Sequence, residues 1–195
     1  MIKIAIFASG SGSNAERIVE FFSSNDEVEV SLILTNNPVA GVIERAQRLD
    51  IPVVIFNKKV FSKTDKIVEM LQLQGIDWVI LAGFLWLVPT NLIKAFENRM
   101  INIHPALLPK YGGKGMWGHH VHEAVVANKE KQTGITIHYV NEHYDEGKVI
   151  FQAICEVIEN DTPENVAAKI HELEYQYFPE VIYKEILSAK NSVID

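Results

Sequence analysis

The sequence predicts an α/β protein with an open, mostly parallel, twisted sheet of about seven strands and helices on both faces, a Rossmann-like arrangement. Two observations carry this prediction. Short runs rich in β-branched residues alternate along the chain with segments of helical periodicity, which is the pattern of strands joined by crossover helices. The runs that begin at Ile2 and Trp78 are almost continuously apolar, as expected for strands covered on both faces.

Seven segments have the length and composition of strands. In chain order they cover 2–8, 28–34, 52–56, 78–82, 99–103, 134–140 and 149–157. Helical patterns fill the intervals, at 14–22, 41–49, 63–73, 90–96, 118–127 and 162–177, with a final helix to about 189.

Three signals set the expected helix ends. Ser62, with Asp65 three residues later, is a variant of the capping box and is expected to open the third helix. Thr162 followed by Pro163 is a typical helix start. Because proline interrupts helices, Pro179 is expected to separate the last two.

The composition excludes several classes of protein. With 195 residues, 48% hydrophobic and 22% charged, the chain has the make-up of a single globular domain. Its net charge of −7 argues against nucleic-acid binding, because no positive field would attract a phosphate backbone. Cys155 is the single cysteine, which excludes an intramolecular disulfide and a multi-cysteine metal site. No segment resembles a signal peptide or a membrane span, so we expect no membrane partner and a cytoplasmic protein.

A glycine turn joins the first predicted strand to the first helix. Its sequence, Ser9-Gly10-Ser11-Gly12-Ser13-Asn14-Ala15, fits the G-x-G-x-x-A pattern that directs helix N–H groups at an anion. A dinucleotide site also requires an acidic residue at the end of the second strand, where this chain has Asn36-Asn37. The serines and the asparagine add donors around one compact phosphate. We therefore predict a phosphorylated small molecule rather than NAD, with a plain strand-to-helix turn as the alternative.

Asn102 and His104 stand at the end of the fifth predicted strand, before Pro105. Side chains alternate along a strand, so the two share a face. The carboxyl ends of the strands form the ligand-binding edge of an open α/β sheet, and the glycine turn lies at the same edge. An amide beside an imidazole can stabilise an oxyanion and transfer a proton. The alternative is that both side chains cap nearby backbone.

A protonated histidine at that position needs a carboxylate to raise its pKa. The connection between the last two strands contains three candidates, Glu142, Asp145 and Glu146, in a turn that ends at Gly147. We favour Asp145, and spacing alone leaves the other two open.

Residues 111–118 contain four glycines and are predicted to form a flexible loop of the kind that often covers a site. The histidines at 119, 120 and 122, with Glu123, suggest a metal site. A metal needs three or four convergent ligands, so we favour a solvated helix face and predict no metal.

These motifs occur in the order found in one family. The chain resembles the phosphoribosylglycinamide formyltransferases, folate-dependent enzymes of purine synthesis, over about residues 1–190. The likeness rests on the glycine turn, Leu81-Ala82-Gly83-Phe84, Asn102-Ile103-His104-Pro105-Ala106-Leu107-Leu108-Pro109 and Asp145-Glu146-Gly147. The resemblance implies that a formyl group passes from the co-substrate 10-formyltetrahydrofolate to the amine of glycinamide ribonucleotide.

The resemblance also implies residue roles. His104 would donate a proton, Asn102 would stabilise the oxyanion and Asp145 would raise the pKa of His104. The ribonucleotide, with its phosphate at the glycine turn and its amine near Glu174, would contact Gly12, Ser13, Asn14, His171, Glu172, Leu173 and Glu174. The folate would contact Leu85, Trp86, Leu87, Val88, Asn141, Glu142, His143, Tyr144 and Asp145. One domain, 1–195, would combine a phosphate-binding half (about 1–100) with a catalytic and folate-binding half (about 101–195).

One departure from the family is Trp86, where many relatives have arginine; Lys59 and Lys63 are candidates to meet the glutamate tail of the folate. Relatives that act on methionyl-tRNA normally have an added RNA-binding domain, and those that hydrolyse formyl-folate have a regulatory one. A sugar-nucleotide or other amine formyltransferase and a non-catalytic nucleotide-binding module remain as alternatives. The oligomeric state is not predicted.

Overall fold

Seven strands form one sheet in the computed structural model, which describes residues 1–191. They are β1 (Ile2–Phe7), β2 (Val28–Thr35), β3 (Val53–Ile55), β4 (Trp78–Leu81), β5 (Met100–His104), β6 (Gln132–Tyr139) and β7 (Val149–Glu156). Their order across the sheet is β3-β2-β1-β4-β5-β6-β7. Strands β1 to β5 are parallel, and β6 is antiparallel to both of its neighbours. The predicted open, mostly parallel sheet is confirmed.

Helices cover both faces of the sheet. The described helices are α1 (Ser13–Phe22), α2 (Val42–Arg48), α3 (Lys58–Lys63), α4 (Lys66–Leu73), α5 (Thr90–Ala95), α6 (His119–Ala127) and α7 (Pro163–Asn191). Buried residues of α1, α2, α6 and α7 form one apolar layer, and those of α3, α4 and α5 form the other. Strand β1 serves both layers, since Ile4 and Ile6 belong to the first and Ala5 and Phe7 to the second. This alternation explains why the strand is apolar throughout. No helix within residues 1–191 is long and apolar enough to cross a membrane.

The helix predicted over 63–73 starts later, at Lys66, and a separate helix that was not predicted precedes it. Lys58–Lys63 forms α3, which places Ser62 inside a helix, and α4 starts only after Asp65. The expected capping role of Ser62 is therefore wrong. Asn57 caps α3 instead, since its side-chain oxygen accepts a hydrogen bond of 2.9 Å from the backbone N–H of Val60. A six-residue helix is too short to show a helical period.

Helix α7 continues through Pro179, where the sequence predicted a break. A proline within a helix removes one hydrogen bond and costs about 3 kcal/mol. Here Phe178, Val181 and Ile182 are buried on both sides of it, and this packing outweighs the local cost. Thr162 caps the helix as predicted, its Oγ1 accepting from the N–H of Asn165 at 3.3 Å. Residues 192–195 of the predicted second half lie outside the described residues.

The order of the strands in the sheet determines the edge at which a ligand can bind. From β1 the chain proceeds outward to β2 and β3, and from β4 it proceeds to β5 on the other side. Ligands bind at the carboxyl ends of strands around such a switch point. The glycine turn follows β1, Gly83 follows β4, and Asn102 and His104 end β5. The three predicted motifs therefore meet at one edge.

Candidate active site

A cleft of about 560 Å³ opens at this edge. Its walls come from the glycine turn, the residues after β4, the end of β5, the glycine loop (residues 111–118), and α6 and α7. The polar side chains that line it include Ser13, Asn14, Asn102, His104, His122, Asp145, His171 and Glu174. The predicted catalytic residues and most of the predicted substrate contacts thus face one cavity.

The glycine turn is held in place by α2. Gly12 has φ 79°, in the left-handed region that favours glycine, and a Cβ there would lie 2.5 Å from Cβ of Val42. The N–H of Val42 donates to the carbonyl oxygen of Gly10 at 3.1 Å. Arg45 Nε donates to the carbonyl oxygen of Ser11 at 2.9 Å. The turn fixes the N-terminus of α1 in the wall of the cleft, where its free N–H groups favour an anion.

His104 is buried, with 4% of its surface exposed. Its Nε2 donates to the carbonyl oxygen of Tyr111 at 2.7 Å, and its Nδ1 lies 3.5 Å from Oδ2 of Asp145. Burial lowers the pKa of His104, while the charge on Asp145 and the Tyr111 carbonyl raise it by less. The carboxylate thus acts in the predicted direction. The expected net rise is absent, because desolvation penalises the imidazolium more strongly.

Asp145 lies between two histidines. Of the three acidic residues considered from the sequence, it is the one that lines the cleft with His104. Its Oδ2 accepts a hydrogen bond from the N–H of Gly113 at 2.9 Å, and its Oδ1 lies 3.7 Å from Nε2 of His138. Burial raises the pKa of Asp145, but His138, His104 and the Gly113 N–H outweigh it and hold that pKa below its ordinary value. The side chain is therefore a carboxylate at neutral pH.

His138 is a site residue that the sequence analysis missed. The antiparallel pairing of β5 with β6 places it opposite Asn102, and its Nε2 lies 3.1 Å from Nδ2 of Asn102. Its Nδ1 donates to the carbonyl oxygen of Tyr139 at 2.8 Å. An amide nitrogen can only donate, so in this contact the Asn102 amide gives one hydrogen to Nε2 of His138. The other amide hydrogen remains for an oxyanion in the cleft.

Glu174 lines the cleft from α7 and is 5% exposed. One of its oxygens, Oε2, accepts from Nδ2 of Asn14 at 2.9 Å and lies 3.0 Å from Nδ1 of His171. The hydrogen bond to Glu174 raises the pKa of His171. The other two predicted contacts of this segment point elsewhere, because positions three apart share a helix face and those between do not. Glu172 is exposed, and Leu173 packs against the core.

Some of the predicted folate contacts line the cleft and others do not. Leu85, Tyr144 and Asp145 line the cleft. Within residues 1–191, the walls of the cleft do not include Trp86, Leu87, Val88, Asn141, Glu142 or His143. Trp86 packs against Phe56, Phe61 and Phe84, with Nζ of Lys58 4.6 Å from its ring. A folate role for these side chains stays a prediction.

The three histidines near the start of α6 do not converge. His119 and His120 lie at the surface, each 3.3 Å from the carboxylate of Glu123, whereas His122 is buried. No group of three or more side chains able to hold a metal occurs in the part of the chain that the structure describes. The preceding glycine loop lines the cleft from Gly113 to Gly118 and follows a cis peptide bond between Leu108 and Pro109.

A protein-family model described as formyl transferase matches residues 2–182. The chain belongs to the formyl transferase family. A Bacillus subtilis member named phosphoribosylglycinamide formyltransferase is 38% identical over 98% of this chain and 97% of its own length. A crystal structure of phosphoribosylglycinamide formyltransferase from Bacillus halodurans has a TM-score of 0.86 and 37% identity, covering 97% of both chains.

A plant formyl transferase is longer than this chain. The protein named phosphoribosylglycinamide formyltransferase, chloroplastic, from Arabidopsis thaliana is 42% identical over 92% of this chain, which spans 64% of its length. The bacterial and plant comparisons agree on the family and on the printed name.

Proposed function

We propose that this formyl transferase moves the formyl group of 10-formyltetrahydrofolate to the amine of glycinamide ribonucleotide, a step of purine biosynthesis. The observation that carries the proposal is that the glycine turn shares one cleft with Asn102, His104 and Asp145. A phosphate site beside a proton donor and an oxyanion donor suits a phosphorylated amine that attacks an acyl group. The names of the bacterial relatives support the choice of substrates.

We assign a role to each of the three catalytic side chains in this proposal. The amine nitrogen attacks the formyl carbon, and the formyl oxygen becomes an oxyanion that the free amide hydrogen of Asn102 stabilises. The carbon–N10 bond then breaks as N10 takes a proton from His104, and the proton that the amine nitrogen loses as it becomes an amide returns to His104. General acid catalysis of this kind contributes about 10²–10⁴-fold. Attack by an amine needs no serine or cysteine nucleophile on the protein.

We assign the substrate phosphate to Gly12, Ser13 and Asn14, where the first turn of α1 presents N–H groups. The amine belongs near Glu174, which is buried and lines the cleft from α7. The division into a phosphate-binding half (about 1–100) and a catalytic and folate-binding half (about 101–195) is part of this proposal. The cytoplasmic location expected from the sequence also remains a proposal, since one relative is named as chloroplastic.

The deciding assay mixes the protein with both substrates and follows the folate absorbance. We expect the change that accompanies formation of tetrahydrofolate only when glycinamide ribonucleotide is present. Release of folate without it indicates a hydrolase, and turnover only with an amino-sugar nucleotide indicates a sugar-nucleotide formyltransferase. Either result contradicts the proposal.

The His104→Ala variant separates an enzyme from a binding module. We expect it to bind glycinamide ribonucleotide with unchanged affinity, because the phosphate turn is intact, and to lose turnover by about 10²-fold or more. Calorimetry measures the first quantity and the absorbance assay measures the second. A variant that retains full turnover would show that His104 is not the acid.

A further inference from the structure

His122 is a buried polar side chain that the catalytic scheme above does not use. It is 3% exposed, it lines the cleft from α6, and its Nδ1 has no hydrogen-bond partner. Among the described residues no hydrogen bond joins its ring to another group. Its neighbours Val121 and Val125 are fully buried core residues. An aliphatic or aromatic side chain would fill the same space without leaving a polar atom unsatisfied, so the imidazole needs another explanation.

The ring is uncharged. Burial lowers the pKa of His122 to about 4. The charges that act on it come from the segments packed around it: His171 and Glu174 on α7, His119 on its own helix, and His104 on β5. At neutral pH the ring therefore offers one N–H donor and one nitrogen acceptor. It differs from His171, which also faces the cleft but whose pKa is raised by Glu174.

A second unsatisfied atom occurs in the same cleft. Asn14 donates from Nδ2 to Glu174, and its Oδ1 is buried without a partner. Glu174 accepts from both Asn14 and His171, which fixes the orientation of the Asn14 amide while its Oδ1 stays unsatisfied. The two unsatisfied atoms therefore belong to side chains in electrostatic or hydrogen-bond contact with Glu174.

We propose that His122 is a positioning residue for the amine substrate, whose neutral imidazole hydrogen-bonds the uncharged segment between the substrate's phosphate and its reacting amine. The ring lines the same cleft as the glycine turn and Glu174, the two places between which such a segment must lie. A neutral partner suits this segment, because its amide and hydroxyl groups carry no charge. The inference rests on the proposed function, since it assigns a further contact to the same substrate.

The test compares His122→Phe with His122→Asn. Phenylalanine keeps the shape of the ring without its nitrogens, and asparagine restores a polar group near Nδ1. The matched control is His119→Ala, on the same helix but at the surface and outside the lining of the cleft. Steady-state kinetics are measured with each substrate varied in turn. Calorimetry measures the binding of glycinamide ribonucleotide and, separately, of inorganic phosphate.

We expect His122→Phe to raise KM and Kd for glycinamide ribonucleotide about tenfold, which is the loss of one hydrogen bond. The KM for 10-formyltetrahydrofolate and the affinity for inorganic phosphate should stay unchanged, because neither contact involves the ring. His122→Asn should recover part of the loss, and His119→Ala should match the wild type. Thermal stability of the phenylalanine variant should be equal or higher, since it removes an unsatisfied buried group.

Three results would overturn the inference. One is unchanged binding of glycinamide ribonucleotide by His122→Phe. Another is an equal loss of phosphate affinity, which would indicate a general distortion. In the third, His122→Phe does not fold, and His122→Asn binds glycinamide ribonucleotide with the affinity of the wild type. A wild-type protein that binds the ribonucleotide without turnover would instead contradict the proposed function, and the calorimetry would still test His122.

Discussion

The pKa values of His104 and Asp145 are each shifted by opposing effects, and the sequence alone does not show which effect is larger. The carboxylate raises the pKa of the imidazole, and burial lowers it by more. In the proposed scheme His104 acts as a general acid in its protonated form, so we expect activity to fall as the pH rises through its pKa. Because the Asp145 carboxylate raises the pKa of His104, this loss of activity occurs at a higher pH than it would with burial alone.

We expect Asp145→Asn to move the falling limb of the pH–rate profile to lower pH. The substitution removes the charge that raises the pKa of His104, and each pKa unit lost reduces the protonated fraction at pH 7 about tenfold. The profile of kcat/KM between pH 5 and 9 measures the limb. Glu146→Gln is the control, because this carboxylate lies outside the lining of the cleft. An unmoved limb in Asp145→Asn would disprove the pairing.

His138 orients Asn102 and does not itself reach the reacting atoms in our scheme. We expect His138→Phe to lower kcat about 10-fold to 100-fold with little change in either KM, since the oxyanion donor loses its orientation. The decisive comparison is with Asn102→Ala and the double variant. If the two residues act as a unit, the second substitution costs little after the first. Independent, multiplying losses would contradict this role.

The sequence predicted Asn102 and His104 but missed His138 for one physical reason. The first two stand at a strand end, where a proline marks the binding edge. His138 lies within β6, and only the pairing register places it opposite Asn102. Period-two alternation does put it on one face with Thr136, but which face meets the cleft depends on the neighbouring strand. His122 is similar, since its burial depends on how α6 packs against α7.

At the level of elements, the glycine turn depends on how closely α2 approaches it. We expect Gly12→Ala to lower stability by about 1–3 kcal/mol, through contact of the new methyl with Val42 and through the left-handed backbone. Inorganic phosphate should bind more weakly as well. Gly10→Ala is the matched control for stability, because nothing lies within 4 Å of a Cβ at Gly10. Thermal denaturation and phosphate calorimetry provide the measurements, and equal stability of the two variants would contradict the expectation.

The strands were predictable to within about two residues, because continuous or alternating apolar runs reflect burial directly. The helix predictions were wrong at positions where tertiary packing outweighed the local sequence rules. Six residues with Val60 and Phe61 as their only apolar side chains show no period, yet Phe61 is buried and forms part of α3. Pro179 is a breaker in isolation, and it is tolerated where the flanking side chains are buried in the core.

For the whole molecule, the buried histidines predict a loss of stability in weak acid. The pKa of His122 is about 4 in the folded chain against an ordinary value near 6.5. In the unfolded chain His122 therefore takes up a proton below about pH 6.5, whereas in the folded chain it does so only near pH 4. The contribution of His122 to the free energy of unfolding is complete above pH 6.5 and declines by about 3 kcal/mol as the pH falls to 4. His104 acts in the same direction, and the partly exposed His171, with a raised pKa, acts in the opposite one.

We expect His122→Phe to flatten this decline. Urea denaturation at pH 7.5 and pH 5 measures the free energy of unfolding of both proteins. The difference between the two pH values should be smaller in the variant, because phenylalanine takes up no proton in either state. Identical differences would show that His122 titrates normally in the folded chain.

The glycine loop starts with two hydrogen bonds to the catalytic pair. The carbonyl of Tyr111 accepts from His104, and the N–H of Gly113 donates to Asp145. A displacement of this segment therefore breaks the bonds that hold the acid and its carboxylate in alignment. In the proposed scheme, His104 is therefore aligned as the acid only while residues 111–113 keep this position.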